Sequence, residues 1–140
     1  MFINKTMSAA LLDNLDELDR IYRVSQTTRK QYGYLTRRLT DVMRGCIKES
    51  ADIIDQTTFP PRTSLTSVLG LGERARTKLN DDGSVEGTRK AIDLILHQTD
   101  AVLSTINHPT FCARYRAADR IIQVFSQLQV HEYDLNSLPL

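Results

Sequence analysis

Apolar residues recur at steps of three and four along most of the chain, and this spacing constrains the fold more than any other feature. The longest such stretch is predicted to run as one helix from Thr28 to Gln56. At about 100° per residue, its two faces separate cleanly. One face holds Leu35, Leu39, Val42, Met43, Cys46, Ser50 and Ile53, and the opposite face holds Lys30, Arg37, Asp41, Arg44 and Lys48. The stretch is therefore predicted to be a strongly amphipathic helix.

The basic face of this helix has two interpretations. It could follow a phosphate backbone, or it could be a solvated outer face interleaved with ion pairs. Asp41 lies within the basic stripe and favours the second interpretation.

Three other long stretches carry the same helical pattern. A first helix, capped by Ser8, is predicted to bury Leu11, Leu15, Leu18 and Tyr22. A helix capped by Ser84 is predicted to bury Ala91, Ile92, Ile95, Val102 and Ile106 and to expose Arg89, Lys90, Asp93, His97 and Asp100. A last helix has an apolar face of Phe111, Tyr115, Ala118, Ile122 and Phe125. Arg114 lies near the edge of that face, where it needs a carboxylate or a partner subunit.

Prolines and polar turns separate these helices. Phe59-Pro60-Pro61 ends the long helix and forces an extended connection, because proline excludes the residue before it from the helical region. A short central helix is predicted to start near Ser64, and Asn107-His108-Pro109 precedes the last helix. The sequence predicts an all-α, four-helix-bundle-like fold of two antiparallel helix pairs around the short central helix. It predicts one domain over residues 1–140, with terminal arms at 1–7 and 130–140.

The composition excludes several classes of protein. With 41 % hydrophobic and 25 % charged residues the chain has the composition of a soluble globular protein, and no apolar run reaches the ~18 residues of a membrane span. Cys46 and Cys112 lack metal-type spacing, and the acids Asp13, Asp16, Glu17 and Asp19 are predicted to form a solvated face. No motif of a catalytic triad, Walker loop or zinc site can be assembled. The sequence therefore predicts an intracellular protein that is not an enzyme and that uses no metal or cofactor.

A net charge of +1 gives the whole protein no attraction to nucleic acid, so any such attraction must come from local clusters of cations. The densest cluster lies in Ser64–Asp93, where Arg74, Arg76, Lys78, Arg89 and Lys90 flank the predicted turn Asn80-Asp81-Asp82-Gly83. We call this segment the basic hairpin. It could bind a backbone phosphate, or its cations could be neutralised by Glu73, Asp81, Asp82 and Glu86; the charge pattern does not decide between these. Arg74 and Arg76 diverge if the backbone is helical and share a side if it is extended.

Several short elements of the chain resemble the coat proteins of tobacco-mosaic-type rod-shaped viruses. Leu65-Thr66-Ser67-Val68-Leu69-Gly70, followed by Glu73-Arg74-Ala75-Arg76, resembles the right-radial helix of that family and its acidic-then-Arg-x-Arg element. Thr88-Arg89-Lys90-Ala91-Ile92-Asp93 is similar to its Thr-Arg-Arg-apolar-x-Asp element at the start of the left-radial helix. Arg37-Arg38-Leu39-Thr40-Asp41-Val42 and Phe59-Pro60 match further elements in the same order.

The resemblance implies a four-helix bundle whose inner ends grip single-stranded RNA within a helical polymer of the chain. The RNA-binding residues would be Arg74, Arg76, Arg89, Lys90 and Asp93, and the protein would occur in the virion and the host cell cytoplasm. The alternative is a small helical module of a ribonucleoprotein complex that binds nucleic acid or protein without polymerising.

Four acidic residues are candidates for a carboxylate switch of assembly. Asp81, Asp82 and Glu86 lie in the inner turn of the hairpin, and Asp41 lies in the segment that matches an axial contact of the family. Packed near carboxylates of the next subunit, they would repel one another when ionised. The alternative is that they cap a helix and pair with Arg74, Arg76 and Lys78.

Overall fold

Helices account for the secondary structure of the described chain, as predicted. The computed structural model describes residues 5–24, 30–82 and 85–130, with side chains at 5–21, 34–78 and 87–124. Within these residues there are seven α-helices and no strand. They are α1 (Met7–Val24), α2 (Lys30–Glu49), α3 (Ala51–Gln56), α4 (Leu65–Val68), α5 (Leu71–Asp82), α6 (Val85–Leu103) and α7 (Pro109–Val130), with a 3-10 turn at Pro61–Thr63. None of the described helices is long and apolar enough to cross a membrane.

Helix α1 is the centre of the packing. It contacts α2, α3, α4, α5 and α6, whereas α7 packs mainly on α2. Leu11, Leu15 and Leu18 are buried as predicted, and the side chain of Tyr22 lies outside the described part. The two antiparallel pairs predicted from the sequence correspond to α1/α2 and α6/α7. The contact of α1 with α2 agrees with this prediction, but α6 packs on α5 and α1 and α7 packs mainly on α2, so the predicted second pair was wrong.

The start of α1 differs from the prediction. The backbone N–H of Ala9 donates to Oγ1 of Thr6 at 3.2 Å, so Thr6 is the N-cap and the prediction of Ser8 was wrong. Ser8 lies in the first turn of α1, where its N–H and its hydroxyl both donate to the carboxylate of Asp55 in α3, each at 2.9 Å. This carboxylate also stabilises the helix because it places a negative charge at the N-terminal end of α1.

The predicted single helix from Thr28 to Gln56 is interrupted. α2 ends at Glu49, and Ser50 leaves helical geometry with φ −115° and ψ 18° before α3 begins. Arg114 of α7 donates to the carbonyl oxygen of Glu49 at 2.9 Å and to the hydroxyl of Ser50 at 3.2 Å. The predicted need of Arg114 for a carboxylate or a partner subunit was therefore wrong, because a helix-end carbonyl of its own chain accepts its hydrogen bond. Thr28 and Arg29 lie outside the described residues.

The connection that follows is extended at Thr57 and Pro60, as the prolines predict, but Pro61–Thr63 form a 3-10 turn. Ser64 then caps α4, its hydroxyl accepting the backbone N–H of Ser67 at 3.4 Å. Gly70 has φ +72°, a backbone conformation that suits glycine, and it separates α4 from α5. The short central helix is thus confirmed, and a sharp turn joins it to α5.

Helix α5 extends into the predicted turn. The turn was expected to begin at Asn80, but the chain is helical through Asp82, so the predicted start of the turn was wrong by three residues. Asparagine and aspartate are only moderate helix formers, but α5 packs on both α1 and α6, and this packing overrides local propensity. The predicted turn glycine, Gly83, and the predicted cap, Ser84, lie outside the described residues.

The predicted core of the last two helices is buried where it is described, except that Ile122 of α7 is half-buried. Ala91, Ile92, Ile95 and Val102 are buried on α6, and Ile106 is buried beyond the end of that helix at Leu103. In α7, Phe111, Tyr115 and Ala118 are buried, and the rings of Phe111 and Tyr115 stack with centroids 5.6 Å apart. The side chain of Phe125 and the predicted C-terminal arm beyond residue 130 lie outside the described part.

Candidate nucleic-acid interface

Two contacts between α1 and α5 fix which helix ends lie together. The side-chain oxygen of Asn14 accepts the backbone N–H of Gly72 at 3.0 Å, and Glu17 meets Arg76 one turn later in both helices. α1 and α5 therefore run in the same direction, and their C-terminal ends lie at the same end of the bundle. Because α2 follows α1 and α6 follows α5, the N-terminal ends of α2 and α6 also lie there. We call this end, formed by Val24, Lys30, Asp82 and Val85, the connection end.

Exposed cations from both helices of the basic hairpin lie near the connection end. With a rise of 1.5 Å per residue, Lys78 is about 6 Å from Asp82 along α5, and Lys90 is about 8 Å from Val85 along α6. Lys78 and Lys90 are exposed, whereas Arg89 and Asp93 are half-buried. The structure thus brings Lys78 of α5 together with Arg89 and Lys90 of α6 at one end of the molecule. Arg74 of the predicted RNA-binding set lies instead in the first turn of α5, about 12 Å from Asp82 along the helix.

Arg74 and Arg76 diverge, because the backbone that carries them is helical. Arg74 is exposed, and its guanidinium turns back toward the start of α5, where it donates to the carbonyl oxygen of Leu69 at 2.9 Å. Arg76 is half-buried and donates from Nε to Oε2 of Glu17 at 2.7 Å. The two arginines of the Arg-x-Arg element therefore have different partners and different surroundings.

The prediction that the acids of α1 form a solvated face was wrong for Glu17. This residue is only 7 % exposed, and its carboxylate also accepts a hydrogen bond from Arg20. The other three acids are exposed but paired: Asp13 with Lys5, and Asp16 and Asp19 with Arg44. Arg44 was expected on the solvated face of α2, and instead it faces α1, because these two carboxylates attract it across the helix pair.

The structure places the four candidates for the carboxylate switch in two settings. Asp41 is 77 % exposed at its side chain, and Oδ1 lies 3.5 Å from a guanidinium nitrogen of Arg44. Asp81 and Asp82 end α5, and Glu86 lies in the first turn of α6, so all three are at the connection end. The side chains of these three residues are outside the described part of the chain.

A third contact, between α6 and α7, joins Tyr115 to Asp100, which was predicted to be exposed but is half-buried. The hydroxyl of Tyr115 donates to Oδ1 of Asp100 at 2.8 Å, and burial raises the pKa of Tyr115 well above its usual value. Partial burial and then the charge of Asp100 raise the pKa of Asp119, one turn further along α7. Because the folded state holds this proton more tightly than the unfolded state, the contribution of Asp119 to stability falls as the pH rises through its raised pKa.

The cleft beside α1 and the buried cysteine of the described residues do not form a further reactive site. A cleft of about 250 Å³ lies between α1 and the start of α5, but its acids Asp13, Asp16 and Glu17 bond to cations of the same chain. Cys46 is buried, and burial raises its pKa to about 11, so it is not a reactive thiolate. No group of three or more histidine, cysteine or acidic side chains in the described part is arranged to hold a metal ion.

No protein-family model, curated protein or solved structure matches this chain. The resemblance to rod-shaped virus coat proteins therefore stays a prediction from short sequence elements.

The sequence analysis also missed Asn14. It is 3 % exposed, and it lies three residues after Leu11 and four before Leu18, on the apolar face of α1. An amide at such a position must find hydrogen-bond partners when it is buried. The position of an amide on the apolar face of α1 was therefore the sequence signal that could have identified Asn14 as a buried, hydrogen-bonded residue.

Removal of the Arg76 guanidinium, which pairs with the buried carboxylate of Glu17, should destabilise the fold. Arg76→Gln leaves Glu17 buried with a weaker partner, so we expect the free energy of unfolding to fall by roughly 1–3 kcal/mol. The double variant Glu17→Gln/Arg76→Gln should recover part of this loss, because no carboxylate is then buried at the site. Urea unfolding measures both. Arg74→Gln is the matched control, and a loss as large as that of Arg76→Gln would contradict the assignment of a structural role to Arg76 alone.

Proposed function

We propose that this protein is a coat protein that assembles into a helical polymer around single-stranded RNA. The observation that carries the proposal is that Lys78 of α5 and Lys90 of α6 are both exposed near the connection end. The matching sequence elements on α2, α4, α5 and α6 support it as well, because they follow one another in the order of the family.

The connection end suits the phosphate backbone of RNA. Lys78 and Lys90 expose ammonium groups there, and Arg89 lies in the first turns of α6. Free backbone N–H groups and the helix dipole at the start of a helix also favour an anion. A polymer would bring this end of successive subunits to one inner radius, so that a single strand could pass along a continuous row of cations.

Arg76 contributes in two ways within this proposal. A guanidinium has five N–H donors, so Arg76 can donate from Nε to Glu17 and still offer donors to a phosphate. The ion pair holds α5 on α1 and thereby fixes the position of the hairpin. Arg74 would have to release the carbonyl of Leu69 to turn toward the strand.

Removal of exposed hairpin cations should weaken RNA binding uniformly across sequences. For Lys78→Gln/Lys90→Gln we expect the slope of log K against log salt to become shallower by about 1.4, because each phosphate contact on a single strand contributes about 0.7. Filter binding of uridine and adenosine 20-mers at several salt concentrations measures the slope. Lys48→Gln/Arg116→Gln removes two exposed cations far from the connection end, and its slope should stay at the wild-type value. An unchanged slope in the hairpin variant would refute the phosphate contacts.

Asp81, Asp82 and Glu86 make the polymer sensitive to pH in this proposal. If they lie near carboxylates of the next subunit, assembly raises their pKa values, takes up protons and weakens as the pH rises. Asp81→Asn/Asp82→Asn should then form polymers that persist to higher pH than wild type between about pH 5 and 8. Sedimentation follows the polymer, and electron microscopy should show rods or stacked discs.

The control for this experiment is Asp52→Asn, an exposed acid of α3 that is remote from the connection end and should leave the pH profile unchanged. If Asp81→Asn/Asp82→Asn assembles no better than wild type at any pH, the acids serve as local ion-pair partners. A wild-type protein that stays monomeric or dimeric under all conditions, with or without RNA, would instead favour the module that binds without polymerising.

A further inference from the structure

Tyr34 exposes more of its surface than the other large apolar side chains that the structure describes. It is 57 % exposed, compared with 44 % for Leu94 and for Val124. It belongs to the second turn of α2, about 6 Å along the axis from Lys30. The exposed ring therefore lies close to the connection end.

Arginines accompany this ring on the same helix. Arg37 and Arg38 follow Tyr34 at three and four residues, so they lie on the same side of α2, and both are exposed. The adjoining positions Leu35 and Thr36 are buried, which fixes the rotation of the helix and turns the face of Tyr34 away from the core. One surface thus holds an aromatic ring beside guanidinium groups.

An aromatic ring beside cations is the arrangement that binds single-stranded nucleic acid. The ring stacks on a base, the cations bind adjacent phosphates, and the stacking tolerates any sequence because every base has a π-face. Tyr34 lies about 6 Å along α2 from Lys30, and Lys90 lies about 8 Å along α6 from Val85, so both belong to helix segments that begin at the connection end.

We infer that Tyr34 stacks on a base of single-stranded RNA while Arg38 binds a neighbouring phosphate. This inference rests on the proposed function and extends its RNA site from the basic hairpin to the start of α2. Two arginines of α2 then have different roles. Arg38, near Tyr34, contacts RNA, whereas Arg44, further along the helix, is held by Asp16 and Asp19.

Substitutions of the full-length chain separate stacking from charge. Tyr34→Ala and Tyr34→Leu should each weaken binding of fluorescein-labelled uridine and adenosine 20-mers by roughly 5- to 100-fold, with an unchanged salt slope. Tyr34→Phe keeps the ring and should stay within a few-fold of wild type. Arg38→Gln should instead make the salt slope shallower by about 0.7. Fluorescence anisotropy gives the affinities, and circular dichroism checks that each variant is folded.

The outcomes distinguish this inference from the proposed function. If wild type binds the oligonucleotides and the hairpin variant weakens binding while Tyr34→Ala and Tyr34→Leu do not, the stacking is refuted and the proposed function stands. If wild type binds neither oligonucleotide, both fail. If Tyr34→Ala leaves RNA affinity intact but prevents assembly in the absence of RNA, Tyr34 is a contact between subunits and the inference is overturned.

Discussion

The amide of Asn14 holds together the part of the fold on which the rest depends. Its nitrogen donates to the carbonyl oxygen of Val68 at 2.9 Å, and its oxygen accepts the N–H of Gly72 at 3.0 Å. These two groups flank the turn at Gly70, where the chain leaves α4 and enters α5. One buried side chain of α1 thus satisfies backbone groups that the turn would otherwise leave unpaired, and it fixes where α5 begins.

The direction of α5 follows from the two hydrogen bonds of Asn14 and from the ion pair of Glu17 with Arg76 one turn later. A buried carboxylate is costly unless it is paired, so α5 is held at one rotation and one height on α1. α6 then starts at the connection end and returns along α5, so Lys90 lies close to that end. The candidate RNA surface therefore depends on polar contacts in the core as much as on the cations themselves.

The sequence was enough to predict the long helices α1, α2, α6 and α7 because their signals are local. An apolar stripe is recognised from residues three or four positions apart, such as Leu11, Leu15 and Leu18. A proline such as Pro60 or Pro109 likewise limits a helix within a few residues of itself. The errors arose where a distant partner decides the outcome. Asp55 binds Ser8, Arg114 binds the end of α2, and Glu17 binds Arg76, 59 residues away. For the candidate site, the sequence located the cations, but the orientation of Arg74 and Arg76 depended on helix geometry and on those partners.

The close approach of α5 to α1 is tested most directly by a pair of helical glycines. A Cβ on Gly72 would lie 2.8 Å from side-chain carbons of Glu17 and 3.0 Å from Cα of Asn14, whereas a Cβ on Gly45 of α2 would meet nothing within 4 Å. In urea unfolding, Gly72→Ala should therefore lower the free energy of unfolding by about 1–3 kcal/mol. Gly45→Ala should raise it by roughly 0.5–1 kcal/mol, because alanine favours the helix. If Gly72→Ala stabilises the protein as much as Gly45→Ala does, α5 does not lie against α1 at this position, and the central packing described above is wrong.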